Sequence, residues 1–169
     1  MKYTASYLIE KYDLQLNPEG GHYREIYKDP STVKADGFDG DRSCSTAIYY
    51  LLKKDETSIF HQIKSDELWH YYFGSTHLHI YEIKPDGTLK IHSLGNNIDQ
   101  GDALVCAIEK HSWFAAELVH KDEDAFALVG CTVAPGFEFR DFKVADADDL
   151  SKQFPQHQDI IRKLSHSIN

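Results

Sequence analysis

Short runs rich in Ile, Val, Tyr, Phe and Thr recur through the middle of the chain, at about residues 22–28, 45–52, 57–63, 67–73, 77–84, 88–94, 103–108, 113–119, 125–133 and 137–144. Turn-forming residues separate them: Gly20-Gly21, Gly37 to Gly40, Pro85-Asp86-Gly87, Gly95-Asn96-Asn97, Gly101 and Pro135-Gly136. Strands recurring every 8–12 residues or so, with no helical pattern between them, predict an all-β sandwich or barrel rather than a parallel α/β sheet. Helical spacing is confined to the ends. Tyr7, Leu8 and Tyr12 repeat at it within Thr4 to Tyr12, with Thr4 or Ser6 as caps. Leu150, Phe154, Ile160, Ile161 and Leu164 repeat at it after Asp148-Asp149, with Pro155 as an interruption. These helices are expected to cover an edge or an end of the β structure.

Alternation of side chains then locates candidate chemistry. In Thr57 to Ile63, strict alternation puts Ile59, His61 and Ile63 on one face and Ser58, Phe60 and Gln62 on the other, so His61 is expected inside. After the turn Lys64-Ser65-Asp66, Glu67, Trp69 and Tyr71 share a face, with Leu68, His70 and Tyr72 opposite. If the two runs form one hairpin, His61 and Glu67 meet across paired strands, where opposed Cβ atoms lie about 4.5–5.5 Å apart. A buried glutamate needs a cation, hydrogen-bond donors or a bound proton, which marks Glu67 as a site residue. Trp113, Ala115, Glu117 and Val119 repeat the acid-beside-aromatic pattern on a later run.

Charge and length narrow the partners. The 169 residues predict one domain, 1–169, able to bury a core without staples. Eighteen Lys and Arg against 27 Asp and Glu give a net charge of −9, with no basic cluster beyond Lys53-Lys54, so nucleic acid is not expected as a partner. No apolar run is long enough for a membrane span, and the start, MKYTASYLIEKYDL, lacks a signal-peptide pattern; a cytoplasmic protein is expected. Cys44, Cys106 and Cys131 are far apart and read as buried thiols. HLHIYE, at His77 to Glu82, imitates a metal-binding pattern, but Glu82 falls on the face of Leu78 and Ile80, so the stretch reads as exposed sheet. His22, His92, His111, His120, His157 and His166 show no ligand spacing. Arg24 and Arg140 are candidates for an anionic ligand such as a phosphate, or for pairing with surface acids.

Several stretches together resemble a known family. His61 upstream of Glu67-x6-Gly74 is similar to the first motif of the cupins, G-x5-H-x-H-x3/4-E-x6-G. NPEGGHYREIY (17–27), STAIYYLL (45–52), FHQIKSDELWHYYFG (60–74), SWFAAELV (112–119), GCTVAPGFEFRDF (130–142) and FPQHQDIIRKL (154–164) look like the branch called cupin family five, in order over nearly the whole chain. The resemblance implies a double-stranded β-helix, or jelly roll, that binds ligands inside its barrel and dimerises through its sheets. Metal-binding cupins hold a divalent ion with two histidines and a glutamate from this motif and a third histidine from a later one. Here Ile63 stands at the second histidine and Phe114 at the last, so a divalent metal would fall to His61 and Glu67 alone, and no cofactor is expected. His70 would add a ligand only if a bulge turned it inward.

The expected function is small-molecule binding, with proton transfer of the kind used by metal-free sugar-nucleotide epimerases of this fold as its enzymatic form. His61 would be the general base, oriented by Glu67 or Asp141, and Tyr49 or Tyr71 the acid. Tyr49, Trp69, His70, Trp113, Glu117, Phe139 and Asp141 are the candidate ligand-binding residues, with a sugar nucleotide as the candidate guest, in a homodimer. The alternatives are a non-catalytic binding or structural cupin, in which His61 and Glu67 are an internal polar pair, and a metal-dependent oxygenase or isomerase.

Overall fold

The structure is a computed structural model and describes residues 3–165. Thirteen strands and three short helices follow in the order α1 (Ala5–Tyr12), β1 (Gln15–Leu16), β2 (His22–Lys28), β3 (Thr32–Val33), β4 (Arg42–Ser43), β5 (Thr46–Lys53), β6 (Thr57–Gln62), β7 (Asp66–Gly74), β8 (Leu78–Ile83), β9 (Leu89–Leu94), β10 (Val105–Ile108), β11 (Trp113–Leu118), β12 (Phe126–Ala134), β13 (Lys143–Val144), α2 (Ala147–Gln153) and α3 (Gln158–Lys163). A six-stranded sheet, β1-β2-β5-β12-β7-β10, faces a five-stranded one, β13-β6-β11-β8-β9, and every strand pair within both is antiparallel. This is the jelly roll that the family resemblance implies, and it agrees with the sandwich or barrel that the strand pattern predicts. The sequence reading omits β1, β3 and β4, whose two residues each are too short for alternation to register. It also draws 137–144 as one strand, where a 3-10 turn at Phe139–Asp141 precedes β13.

Apolar side chains pack in three places. The inner faces of the sheets form the main core around Tyr50, Leu52, Trp69, Ile80, Phe114 and Val129. A second cluster lies between the outer face of the five-stranded sheet and the C-terminal helices, where Phe60, Trp113 and Ala115 meet Leu150, Phe154, Ile161 and Leu164. The third lies under α1, where Leu8 and Leu14 cover Leu51, Phe126 and Leu128. Each fully buried Leu or Phe stabilises by about 1.5–3 kcal/mol, so eight residues of helix hold to the sheet through Leu8 more than through their own propensity. Thr4 caps α1, its Oγ1 accepting from the Tyr7 N–H.

Three irregularities set what points inward. In β6, residues 59 and 60 together face Ala115, a bulge between the pairs Phe114↔His61 and Ala116↔Ser58. Because Phe114 and Ala116 belong to the inner core, Ser58 and His61 both point into the barrel, while Phe60 turns outward to the helices. Strict alternation had placed Ser58 outside. In β7, the pairs Leu128↔Phe73 and Val129↔Tyr71 leave Tyr72 as the extra residue, so the bulge misses His70, which stays outward. The third is at Gly20, where φ is +105° and a Cβ would lie 2.0 Å from the Thr57 carbonyl oxygen; glycine there lets the turn before β2 lie directly on β6.

Candidate functional site

A cavity of about 470 Å³ opens at one end of the barrel, lined among others by Glu19, Tyr23, Tyr50, His61, Ile63, Glu67, Cys131, Val133, Phe137 and Phe142, with Glu25, Lys28, Glu138 and Phe139 toward its mouth. The Gly20 turn carries Glu19 into it: the Ile59 N–H donates to the Glu19 carbonyl, and the Tyr50 hydroxyl donates to the Gly20 carbonyl at 2.7 Å. His61 Nε2 lies 3.2 Å from Glu19 Oε2, and Ser58 Oγ donates to Glu19 Oε1 at 3.0 Å. The bulge is what lets Ser58 and His61 grip one carboxyl from the same strand. His61 Nδ1 lies 2.8 Å from the Ile59 carbonyl oxygen, an acceptor, so Nδ1–H donates there and Nε2 is the nitrogen that faces Glu19. The imidazole, 2% exposed, is packed by Phe114 at 4.0 Å and Phe142 at 5.4 Å between ring centroids.

His61 and Glu67 do not pair across a hairpin. Strand β6 lies in the five-stranded sheet and β7 in the six-stranded one, so the two residues look into the same cavity from opposite sheets. Glu67 is 8% exposed and among the described residues has no ion pair; the Cys131 thiol and Trp69 indole N–H point toward it, the indole without ordinary hydrogen-bond geometry. Burial, then the nearby charge of Glu19, push the Glu67 carboxyl up to about 8, so it is largely protonated at neutral pH. Burial also raises the Cys131 thiol and the Tyr50 phenol well above their ordinary ranges, keeping both neutral. The cavity therefore holds a carboxyl gripped by His61 and Ser58 on one wall and a protonated carboxyl on the other.

Other candidate residues lie elsewhere. Tyr71 points inward but toward the opposite barrel end, its hydroxyl donating to the Thr76 carbonyl beside a second, polar cavity of about 360 Å³. Trp69 lies in the core, edge-on to Tyr50 at 5.4 Å. Tyr49 sits on the outer face of the six-stranded sheet against Tyr12 and Tyr72. His70, on that same face, lies 3.3 Å from the Thr132 hydroxyl. Trp113 packs under the C-terminal helices, and Glu117 pairs there with Lys121, Lys163 and the Tyr81 hydroxyl. Asp141 is clamped by the fully buried Arg42, through Nε at 3.2 Å and Nη2 at 3.3 Å, with Lys64 at 3.6 Å, and so fixes the segment that carries Phe139 to the mouth. Arg24 binds the Tyr12 carbonyl near Asp13, and Arg140 pairs with Glu138.

The HLHIYE stretch is not simply exposed sheet. Glu82 is 1% exposed and accepts from Ser112 Oγ and the Glu109 N–H and pairs with His92 at 2.8 Å. His77 meets His79 and, at 5.6 Å between ring centroids, His120. His166 lies outside the described residues. Sequence reasoning missed Glu19: the Gly20-Gly21 pair marks a turn, and the adjacent acid in NPEGG was the available signal.

With Ile63 and Phe114 at two of the four positions that a divalent ion would need, the residues around His61 do not fit a metal, and among the described residues no group of three or more His, Cys, Asp or Glu is arranged to hold one. No helix among the described residues is long and apolar enough to cross a membrane.

Comparison with known proteins agrees with the architecture. A hypothetical protein from Leishmania major is 25% identical with a TM-score of 0.90, over 97% of this chain and 99% of that one. A protein from Shewanella oneidensis is 34% identical with a TM-score of 0.86, over 97% of this chain and 98% of its own. Oxalate decarboxylase from Bacillus subtilis, at 13% identity and a TM-score of 0.55, shares the fold over 97% of this chain and 38% of its own. No curated protein matches. Residues 6–145 match the profile described as Cupin superfamily (DUF985), and the chain belongs to that family.

Proposed function

We propose that the protein binds a small organic molecule in the cavity and moves a proton on it, in the manner of an isomerase or epimerase. The observation that carries this reading is the pair of unlike carboxyls: Glu19, with a donor on each oxygen, and Glu67, buried with no counter-ion and up at about 8. Two carboxyls in such unlike surroundings, one gripped by a histidine and a hydroxyl and one buried without a counter-ion, have the arrangement of an acid–base pair. Glu19 is then the base and Glu67 the acid, each a change from the expected roles. His61, with both nitrogens engaged, orients Glu19 rather than acting on the guest. Tyr23, Phe137, Phe139 and Phe142 supply apolar faces for the guest's skeleton. A sugar nucleotide fits poorly, because its diphosphate would meet carboxyls while Arg24 and Arg140 are tied to their own partners.

A second reading, a binding protein without turnover, draws on the same full engagement of the His61 nitrogens. Both are tested by holding cavity guests in deuterated water and following solvent exchange into the guest by NMR. The proton-transfer reading expects exchange that Glu19→Gln slows by about 10²–10⁴-fold. Binding with no exchange at any carbon of any guest leaves the binding protein.

A further inference from the structure

Of the four carboxyls lining the cavity, Glu19 is held by His61 and Ser58, Glu138 pairs with Arg140 at 2.6 Å, and Glu25 is exposed at the mouth. Glu67, deep inside, faces no cation. From the elements packed against it come Glu19 and His61, the Cys106 and Cys131 thiols, the Tyr50 phenol and the Trp69 indole, and none of these offers it a positive charge free of Glu19. Lys28 is the sole lysine on the lining among the described residues and is exposed at the mouth. Four aromatic rings also line the cavity: Phe139 lies edge to face with Phe137 at 5.1 Å, with Phe142 at 6.2 Å and with Tyr23 at 6.5 Å. Ring faces attract a cation through their quadrupole, and a buried carboxylate without a counter-ion attracts it more.

We propose that the cavity selects an organic cation, an amine whose ammonium nitrogen sits against Glu67 and whose carbon skeleton lies among Tyr23, Phe137, Phe139 and Phe142. The inference rests only on the reading of the cavity as a ligand site and names its guest class; with the amine bound, Glu67 has given up its proton and serves as counter-ion, no longer as the acid. Two routes reach the same complex. A free amine accepts the Glu67 proton, an N–H bond forming as the O–H bond breaks; an ammonium ion enters as it is, and the Glu67 proton leaves to solvent. An anion would meet Glu67 and Glu19 with no unpaired cation beside them.

The test compares benzylamine, benzyl alcohol and benzoate, three probes on one skeleton, by calorimetry on the full-length protein. Benzylamine should bind at least about tenfold more tightly than either of the others. Its affinity should climb about tenfold from pH 6 to pH 7 and level off above about pH 8, as the Glu67 carboxyl ionises more readily. Repeating the titration in two buffers of different protonation enthalpy should show a proton released. Glu67→Gln, which keeps the shape of the neutral acid, should lower benzylamine to the level of the alcohol and flatten its pH dependence. The wild-type pH profile stands whether or not that variant folds. Tighter binding of the alcohol or of benzoate overturns the cation and leaves the ligand site in place, whereas no binding by any of the three overturns both.

Discussion

Glu67 and Glu82 are both buried in this barrel, and their neighbours drive their charge in opposite directions. Burial alone would raise Glu82, but His92, the Glu109 N–H and Ser112 together outweigh it and hold its carboxyl below the ordinary range. Glu67 has no such set of donors and is raised. A carboxyl raised in the folded protein binds its proton more tightly there than in the unfolded chain. Stability is therefore lost as pH climbs from about 4.5 toward about 8 and is constant in this respect above that range. Glu67→Gln should accordingly leave the melting temperature nearly unchanged near pH 5 and raise it near pH 9, by several degrees at about 2–4 °C per kcal/mol for a chain of this size. Thermal melts of both proteins across that range check it. An equal shift at both ends would mean that Glu67 has a counter-ion after all.

At the scale of elements, the Gly20 turn and the β6 bulge build the site between them. Gly20→Ala puts a Cβ into the Thr57 carbonyl and forces a residue with a side chain to φ +105°, so the turn must lift from β6 and take Glu19 with it. The expected outcome is a loss of about 2–3 kcal/mol in denaturant unfolding, together with loss of guest binding. Loss of stability with binding intact would show that Glu19 is not part of the site. The sequence made the strands legible because their alternation is regular, and it brought Glu67 and His61 correctly inward. It could not show Ser58 inside, since one extra residue at 59–60 shifts the alternation, nor Glu19, which reaches the cavity from a turn without periodicity. The His61–Glu67 hairpin failed for a topological reason: the consecutive strands β6 and β7 lie in different sheets. Tyr49, His70, Trp113 and Glu117 were candidates because aromatic and polar residues read alike on either face of a sheet that is covered on both sides.

For the molecule as a whole, the two sheets enclose a core while separate helices seal their outer faces, α1 on one sheet and α2 with α3 on the other. Leu150, Phe154, Ile161 and Leu164 together cover Phe60, Trp113 and Ala115. Ending the chain at Asp146 would bare this cluster, and at about 1.5–3 kcal/mol for each buried side chain the loss is comparable with the whole stability of an ordinary domain. The truncated protein should be insoluble or should bind a hydrophobic dye strongly; a soluble, cooperatively melting product would show that the barrel stands without its C-terminal helices.

The backbone of Phe60 is tied at both ends to this late part of the chain, its N–H donating to the Leu164 carbonyl at 2.8 Å and its carbonyl accepting from the Ala145 N–H at 2.9 Å. Phe60 belongs to the same irregularity that aims His61 at Glu19. A ribosome releases residue 61 about a hundred residues before residue 164, so the wall that sets His61 against Glu19 takes its final form only after the C-terminal helices have docked.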